Sequence, residues 1–142
     1  MLRYEHSTRV AWHQRMHSTV RGREGRRHVL VADDHADSRE SLAALLRLSG
    51  HAVHVASDGR EAIQMAEEYH PDVIFLDINM PKISGYEVCE RLRATHWAEH
   101  VPIYALTSYD TAEHVQRTKA AGFDAHLTKP LDPDALPRLV SI

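Results

Sequence analysis

The sequence predicts an α/β fold in which a parallel sheet is covered by helices on both faces. From residue 28 onwards, short apolar runs alternate strictly with amphipathic stretches of helical spacing. Glycine, proline and helix-capping residues separate the successive runs. The length of 142 residues suits one domain with one core. Right-handed crossovers leave few topologies, and the alternation fits the flavodoxin-like doubly wound (βα)5 sheet with strand order 2-1-3-4-5.

Five short strands are predicted from their apolar, partly β-branched composition. They cover residues 28–33, 51–56, 72–77, 102–107 and 125–128. The third strand reads Val73-Ile74-Phe75-Leu76 and ends in the carboxylate of Asp77. Continuous apolar strands are typical of a parallel sheet that is buried on both faces. A carboxylate at the mouth of such a strand is poorly explained by packing and is a candidate nucleophile or metal ligand.

The first two predicted helices begin with the same capping pattern. Asp37 and Glu40 stand at N-cap and N3 spacing, and Gly50 marks the end of the first helix. Asp58 and Glu61 repeat this spacing at the start of the second helix. Both helices are therefore predicted to be capped and amphipathic.

The later helices are predicted to be less regular. One is expected over residues 85–96, and the next, over 111–121, has Val115 as its only large aliphatic residue. Poor apolar anchoring makes a helix easy to displace, as a switch element must be, although a weakly packed edge helix would look the same. The last helix opens at Asp132-Pro133, and Pro137 predicts that it is short or distorted.

The chain divides into two regions of opposite charge. Residues 1–27 hold seven Arg and two Glu, whereas residues 28–142 hold 10 Lys or Arg and 18 Asp or Glu. We expect a poorly ordered basic extension, 1–27, followed by one domain, 28–142. The acidic domain argues against direct nucleic-acid binding because phosphates would be repelled. A basic arm for nucleic acid or membrane, or a start codon assigned too far upstream, remains an alternative for 1–27.

Composition also predicts the compartment. No stretch approaches the roughly 20 apolar residues that span a bilayer, and the start lacks the apolar core of a secretory signal. The single cysteine, Cys89, excludes an internal disulfide, and we expect it to pack within a helix. We therefore expect a cytoplasmic protein without membrane contact, which is a monomer or a weak dimer. The twelve histidines do not form a zinc-ligand pattern.

Polar side chains follow four of the five predicted strands. Asp33-Asp34 follow the first strand, Asp77 ends the third, Thr107 ends the fourth and Lys129 follows the fifth. The carboxyl ends of parallel strands meet at one edge, so Asp34 and Asp77 should face each other. Clustered carboxylates suit a hard divalent cation such as Mg²⁺. Taken singly, each residue also fits an ordinary surface or helix-start role, but together they predict a phosphoryl-acceptor site.

With these residues the chain resembles the receiver domains of bacterial two-component response regulators. The matching motifs are Asp33-Asp34, FLDINMPKISG around Asp77, ALTS around Thr107 and TKP around Lys129. The resemblance covers residue 28 to the C-terminus and implies that Asp77 is the phosphoacceptor. It further implies that Mg²⁺ is held by Asp34, Asp77 and the backbone carbonyl of Asn79, with Asp33 assisting through a water molecule.

The resemblance also implies a mechanism and a partner. Thr107 and Lys129 would bind the phosphoryl group, and the Lys129-Pro130 peptide would be cis. A sensor histidine kinase or a histidine phosphotransfer protein would supply the phosphohistidine. Phosphorylation would draw Thr107 inward and rearrange the fifth strand and the loop between the fourth strand and the fourth helix. His126 stands where the family commonly has Tyr or Phe, and histidine there is frequent in receivers of hybrid kinases.

Two further positions are expected to tune the lifetime of the phosphoryl group by gating water. They are Asn79, two residues after Asp77, and Tyr109, two residues after Thr107. Catalysis would be limited to Mg²⁺-dependent self-phosphorylation and self-dephosphorylation, without turnover of a substrate.

Three alternatives remain open from the sequence. An aspartate-nucleophile phosphatase of the haloacid dehalogenase type would carry its nucleophile on the first strand, with a second Asp two residues later. Here the candidate lies on the third strand and the second position is Asn79. A degenerate receiver that only docks, and a DNA-binding regulator, are the other two. The sequence is compatible both with a stand-alone receiver and with the receiver of a larger kinase.

Overall fold

A computed structural model of the chain describes residues 26–108 and 111–141. The predicted extension up to residue 25, as well as Tyr109, lies outside the described residues. The strands are β1 (His28–Ala32), β2 (Ala52–Ala56), β3 (Val73–Asp77), β4 (Ile103–Thr107) and β5 (Ala125–Thr128). They form one parallel sheet with the order β2-β1-β3-β4-β5, which confirms the predicted fold.

Helices follow each strand. They are α1 (Ala36–Leu48), α2 (Gly59–Tyr69), α3 (Gly85–Arg93), α4 (Ala112–Ala121) and α5 (Leu136–Val140). A 3₁₀ turn, Pro133–Ala135, precedes α5 and carries the predicted proline near its start. The five residues of α5 confirm that the final helix is short, since Pro137 lacks the N–H that a longer helix would use.

The sheet separates two apolar layers. Alternate strand residues point to opposite faces, so Leu30 and Ile74 pack on one side while Val29 and Phe75 pack on the other. Helices α2, α3 and α4 cover the first layer, and α1 and α5 cover the second. All five residues of β3 are buried, including its terminal aspartate. The centre of the sheet is therefore a rigid support for whatever lies at its carboxyl edge.

The start of α1 differs from the prediction. Its N-cap residue is His35, which makes no side-chain cap hydrogen bond, and Asp37 already lies in the first helical turn. The loop is ordered instead by Asp33, whose carboxylate accepts hydrogen bonds from the His35 N–H and the Ser38 hydroxyl. The carboxylate of Asp33, in the loop directly after β1, thus replaces the Asp37 cap that the sequence favoured. At α2 the predicted pattern is confirmed, because Asp58 accepts from the Glu61 N–H.

The C-terminal end of α3 was predicted too late, at residue 96. The helix ends at Arg93, with Ala94 as C-cap, because the Arg93 side chain is drawn into the loops that follow. Its guanidinium pairs with Asp124 at 2.7 Å and donates to the carbonyls of Ala98 and Val101. Because Asp124 also accepts from the Ile103 N–H, one ion pair joins α3, β4 and the turn before β5.

Helix α4 is weakly anchored, as its sequence predicts. Its buried residues are Thr118 and Ala121, while Thr111 caps its start and Gly122 ends it in the left-handed conformation. Among residues 26–108 and 111–141, none of the helices has the length and apolar character that a bilayer span requires.

Candidate phosphoryl-acceptor site

Asp77 lies at the carboxyl end of the central strand β3 and is only 4% exposed. The chain leaves the strand through Ile78 and returns at once, because the Gly85 N–H donates to the Ile78 carbonyl at 2.8 Å. A Cβ atom on Gly85 would overlap the backbone carbonyl of Asp77. Glycine is therefore required where α3 begins, and the close approach holds the end of β3 in place.

The acids after β1 meet Asp77 at this edge. One oxygen each of Asp33, Asp34 and Asp77, together with a ring nitrogen of His35, lie within 4.8 Å of one another. Asp33 is fully buried, whereas the Asp34 side chain is partly exposed. Strands β1 and β3 are neighbours, which is why residues far apart in the sequence come together. The prediction that Asp34 and Asp77 face each other is confirmed.

Lys129 reaches the same cluster from the end of β5. Its Nζ lies 2.9 Å from Asp33 Oδ2 and 3.4 Å from Asp77 Oδ2. The Lys129 N–H donates to the Thr107 carbonyl at 2.8 Å, and the Lys129-Pro130 peptide is cis, as the resemblance implied. These constraints direct the ammonium group towards the acids. Thr107 is buried at the end of β4, paired in register with Thr128.

The three acids have different electrostatic environments. The pKa of Asp77 is raised to about 7, chiefly because the carboxyl is buried; the Lys129 charge opposes this rise, and the nearby Asp33 and Asp34 add to it. For Asp33, burial also acts to raise the pKa, but hydrogen bonds from Ser38, His35 and Lys129 hold it below the usual range. Asp33 is therefore the permanently ionised partner of Lys129, and Asp77 bears the unfavourable charge.

One oxygen atom of Asp77 marks a place for a cation. Asp77 Oδ2 is buried and accepts no hydrogen bond within the described part of the chain. A buried carboxylate oxygen without a partner is costly. Oxygen donors from three carboxylates around such an atom are the set that a hard divalent ion prefers. The residues present therefore fit a Mg²⁺ site.

Three further residues, Asn79, His126 and Tyr109, were predicted to tune the lifetime of the phosphoryl group or to act in the switch. Asn79 is exposed, and its N–H points to Asp77 Oδ1 at 3.3 Å. His126 is buried on β5 rather than exposed, with its Nδ1 3.3 Å from the Thr118 hydroxyl of α4. This contact links the predicted switch position to the weakly anchored helix. Tyr109 cannot be placed because it lies outside the described residues.

The sequence analysis missed two residues at the site. Ser38 donates its hydroxyl to Asp33 at 2.6 Å, and His35 brings its ring to the acids. His35 directly follows Asp33-Asp34, and this adjacency was a signal that could have identified it. Ser38 gives no comparable signal, since its role depends on the way α1 turns back over β1.

Comparison with known proteins agrees with this geometry. Residues 29–141 match the family of the response regulator receiver domain. The chain is 38% identical over 112 residues to an uncharacterized 14.6 kDa protein of Leptolyngbya boryana, covering 79% of this chain and 86% of that one. It is 40% identical over 102 residues to the response regulator MprA of Mycolicibacterium vanbaalenii, covering 72% of this chain and 43% of MprA. The chain thus spans less than half the length of MprA.

Solved structures show the same fold. The chemotaxis response regulator CheY4 of Vibrio cholerae superposes with a TM-score of 0.75 at 34% identity, covering 80% of this chain and 98% of CheY4. The receiver domain of the sensor histidine kinase PA1611 of Pseudomonas aeruginosa gives a TM-score of 0.74 at 29% identity, covering 80% and 93%. That structure has a magnesium ion coordinated in its active site cleft.

The match extends over most of the chain and over every strand of the sheet that positions the acids. Receiver domains are signalling domains and generally are not turnover enzymes. The chain belongs to the response regulator receiver domain family, the phosphorylation-based signalling domains of two-component systems.

Proposed function

We propose that Asp77 accepts a phosphoryl group from the phosphohistidine of a sensor histidine kinase or histidine phosphotransfer protein. The observation that carries the proposal is the convergence of Asp33, Asp34 and Lys129 on the buried carboxylate of Asp77, whose Oδ2 accepts no hydrogen bond within the described residues. An Asp77 oxygen attacks phosphorus, a P–O bond forms and the P–N bond to the donor imidazole breaks. The leaving imidazole nitrogen takes up a proton, and the chain is left with an acyl phosphate.

The metal is assigned by donor chemistry. Asp34, Asp77 and the Asn79 carbonyl would hold Mg²⁺, with Asp33 acting through a water molecule. When bound, Mg²⁺ offsets the charge of the carboxylates and of the phosphoryl oxygens. The magnesium ion in the PA1611 receiver supports the same ion here.

Lys129 and Thr107 are proposed to bind the phosphoryl group. Lys129 Nζ already lies 3.4 Å from the Asp77 carboxylate, so its ammonium group is positioned to stabilise the charge of a phosphoryl group on that residue. Thr107 would donate its hydroxyl to a phosphoryl oxygen after moving inward from the end of β4. Asn79 and Tyr109 would govern the access of water and hence the rate of self-dephosphorylation.

The signal is proposed to leave the site through β4, β5 and α4. Phosphorylation adds about −2 charge at Asp77, and the inward movement of Thr107 would rearrange the β4–α4 loop. The contact between His126 and Thr118 gives this change a path to α4. Since α4 has only two buried residues, its displacement costs little apolar contact.

A groove beside the site is a candidate docking surface for the phosphodonor protein. It has a volume of about 550 Å³ and is lined by Leu42 and Leu45 of α1 and by Lys129, Pro130 and Leu131. Apolar side chains next to the phosphoryl-binding lysine would let a partner helix bring its phosphohistidine to Asp77. We further propose that residues 28–142 are the receiver, residues 1–27 a basic extension, and the protein a cytoplasmic monomer or weak dimer.

Acetyl phosphate with Mg²⁺, followed by intact mass spectrometry, tests the proposal. We expect a gain of one phosphoryl group, about 80 Da, which Asp77→Asn abolishes. Glu67→Gln changes an exposed acid on α2 and serves as the matched control that keeps the gain. An unchanged mass gain in Asp77→Asn would identify a different acceptor. Steady release of phosphate from a phosphomonoester would instead favour the phosphatase alternative, for which the receiver family gives no support.

A further inference from the structure

The ring of His35 lies among the carboxylates of the proposed metal site. Its Nδ1 is 3.1 Å from Asp34 Oδ1, 3.4 Å from Asp33 Oδ1 and 3.8 Å from Asp77 Oδ2. In an octahedral site with bonds of about 2.1 Å, neighbouring donors are about 3.0 Å apart and opposite donors about 4.2 Å. All three distances from the nitrogen lie within that interval, and the four donor atoms lie within 4.8 Å of one another, so a small adjustment would let one ion contact the nitrogen together with carboxylate oxygens.

The backbone holds His35 at this position. Its N–H donates to Asp33 Oδ1 at 3.0 Å, and its carbonyl accepts from the Arg39 N–H at 2.9 Å. As N-cap of α1 it has an extended conformation, with φ of −93° and ψ of 114°. The His35 side chain is 69% exposed, so the ring is accessible from solvent, and its Nδ1 already lies among the carboxylates. Little reorganisation is therefore needed for ligation.

A second, independent observation points to a cation at the same place. Asp77 Oδ2 is buried, makes no hydrogen bond within the described residues and faces the His35 ring at 3.8 Å. Lys129 leaves this oxygen incompletely compensated, since its Nζ is closer to Asp33 than to Asp77. The geometry thus presents an unsatisfied buried oxygen and an imidazole nitrogen on the same side.

We infer that His35 is a nitrogen ligand that makes this site selective for first-row transition-metal ions over Mg²⁺. Imidazole suits Mn²⁺, Co²⁺, Ni²⁺, Cu²⁺ and Zn²⁺, whereas Mg²⁺ prefers oxygen donors. The inference rests on the proposed metal site at Asp34 and Asp77 and adds to it a residue that determines which ion is held. A site of three carboxylates alone would show weaker discrimination.

The first test compares metal affinities by titration calorimetry on the full chain. In the wild type, Co²⁺ and Mg²⁺ are titrated separately, and Mg²⁺ competition identifies the Co²⁺ bound at the acidic site. We expect His35→Ala to weaken Co²⁺ at this site at least tenfold and Mg²⁺ less than twofold. His96→Ala removes a fully exposed histidine elsewhere and should change neither affinity.

The second test detects the nitrogen directly. Pulsed EPR of Cu²⁺ added at one equivalent should show imidazole nitrogen coupling that Mg²⁺ diminishes and that is lost in both Asp34→Asn and His35→Ala. The wild-type spectrum reports an imidazole ligand at the Mg²⁺-sensitive site, the two variants identify it as His35, and circular dichroism of both variants confirms that they are folded.

The outcomes separate this inference from the proposed function. Equal weakening of Co²⁺ and Mg²⁺ in His35→Ala, or no weakening of either, would overturn the ligand role and leave His35 as an ion-pair partner only. Binding of both ions that is unaffected by Asp34→Asn would overturn the proposed metal site itself. Phosphorylation of Asp77 with Mg²⁺ in a protein whose Cu²⁺ spectrum lacks Mg²⁺-sensitive nitrogen coupling would reject the inference alone.

Discussion

Lys129 is paired more closely with Asp33 than with Asp77, since its Nζ lies 2.9 Å from Asp33 Oδ2 and 3.4 Å from Asp77 Oδ2. Asp33 therefore holds the ammonium group beside the Asp77 carboxylate, and the closer of the two ion pairs is the one with Asp33. The lysine is positioned before any phosphoryl group arrives, which is the arrangement that lowers reorganisation during transfer.

Removing this cation should slow phosphorylation. We expect Lys129→Ala to reduce the rate with acetyl phosphate and Mg²⁺ by roughly 10²-fold, the usual effect of removing one preorganised electrostatic contact. Any phosphorylated fraction should fail to alter amide exchange in α4, because the switch is uncoupled. Lys119→Ala, which removes an exposed lysine, is the control for net charge. Equal rates in Lys129→Ala and wild type would contradict the role of Lys129.

In the metal-free protein, ionisation of Asp77 should lower the free energy of unfolding as pH rises. Burial raises the pKa of folded Asp77 to about 7, above that of an unfolded aspartate, so the folded state binds more protons between about pH 4 and 7. The contribution of Asp77 to the free energy of unfolding therefore falls through this interval. Asp77→Asn does not titrate, so its advantage over wild type in EDTA should grow by at least about 1 kcal/mol from pH 5 to pH 8. Urea unfolding measures it.

Saturating Mg²⁺ provides the control for that experiment. The ion should stabilise the wild type at pH 8, because it compensates the charge of the buried Asp77 carboxylate. The difference in free energy of unfolding between the wild type and Asp77→Asn should therefore become smaller. A difference that is the same at pH 5 and pH 8 would show that Asp77 titrates normally.

The ion pair between Arg93 and Asp124 should contribute strongly to stability. Arg93→Ala leaves Asp124, whose side chain is 5% exposed, without its cation, and we expect a loss of about 3–5 kcal/mol. Arg91→Ala breaks the exposed pair with Glu87 and should cost less than about 0.5 kcal/mol. Urea unfolding of both variants gives the comparison. A similar loss in free energy of unfolding for the two variants would show that the Arg93–Asp124 pair contributes no more than an exposed ion pair.

Cys89 should be chemically inert in the folded protein. Burial raises the pKa of its thiol to about 12, with Glu90 adding to the effect and Arg93 opposing it. Since the thiolate is the reactive form, iodoacetamide at pH 8 should leave the native chain unmodified and alkylate it fully in urea. Intact mass spectrometry distinguishes the two. Rapid native alkylation would mean that α3 opens readily.

His126 should couple phosphorylation to α4 without taking part in the chemistry. We expect His126→Ala to retain the mass gain at Asp77 but to lose most of the change in amide exchange over residues 112–121. Thr118→Val, which removes the hydroxyl near His126 Nδ1, should give the same phenotype. An unchanged amide-exchange response of α4 in both variants would show that the contact between His126 and Thr118 does not couple Asp77 to α4.

The sheet and the meeting of the acids could be predicted because both follow from local pattern. Continuous apolar strands, right-handed crossovers and the strand order bring Asp34 next to Asp77 without knowledge of any contact. The capping of α1 could not be predicted in this way. Asp37 had the right spacing, but Asp33 in the β1–α1 loop accepts the hydrogen bonds from His35 and Ser38, and the sequence pattern does not decide between the two acids.

The same distinction applies to Arg93 and His35. Helix α3 ends at Arg93, whose side chain pairs with Asp124, 31 residues further along the chain, and no helical pattern contains that information. His35 was adjacent to the recognised acids, yet the direction of its ring depends on the backbone of the β1–α1 loop. Side-chain hydrogen bonds to Asp33, which depend on the conformation of the β1–α1 loop and not on the hydrophobic pattern, account for the parts of the site that were missed.

The tight contact of Gly85 with the carbonyl of Asp77 makes the two flanks of the site unequal in how closely they are packed. On the α3 side, the end of β3 has no space in which to yield, so an added phosphoryl group meets resistance there. On the opposite flank, α4 is attached through few buried side chains. A structural change that starts at Asp77 would therefore displace α4 rather than α3, because the close contact with Gly85 leaves no room for movement towards α3.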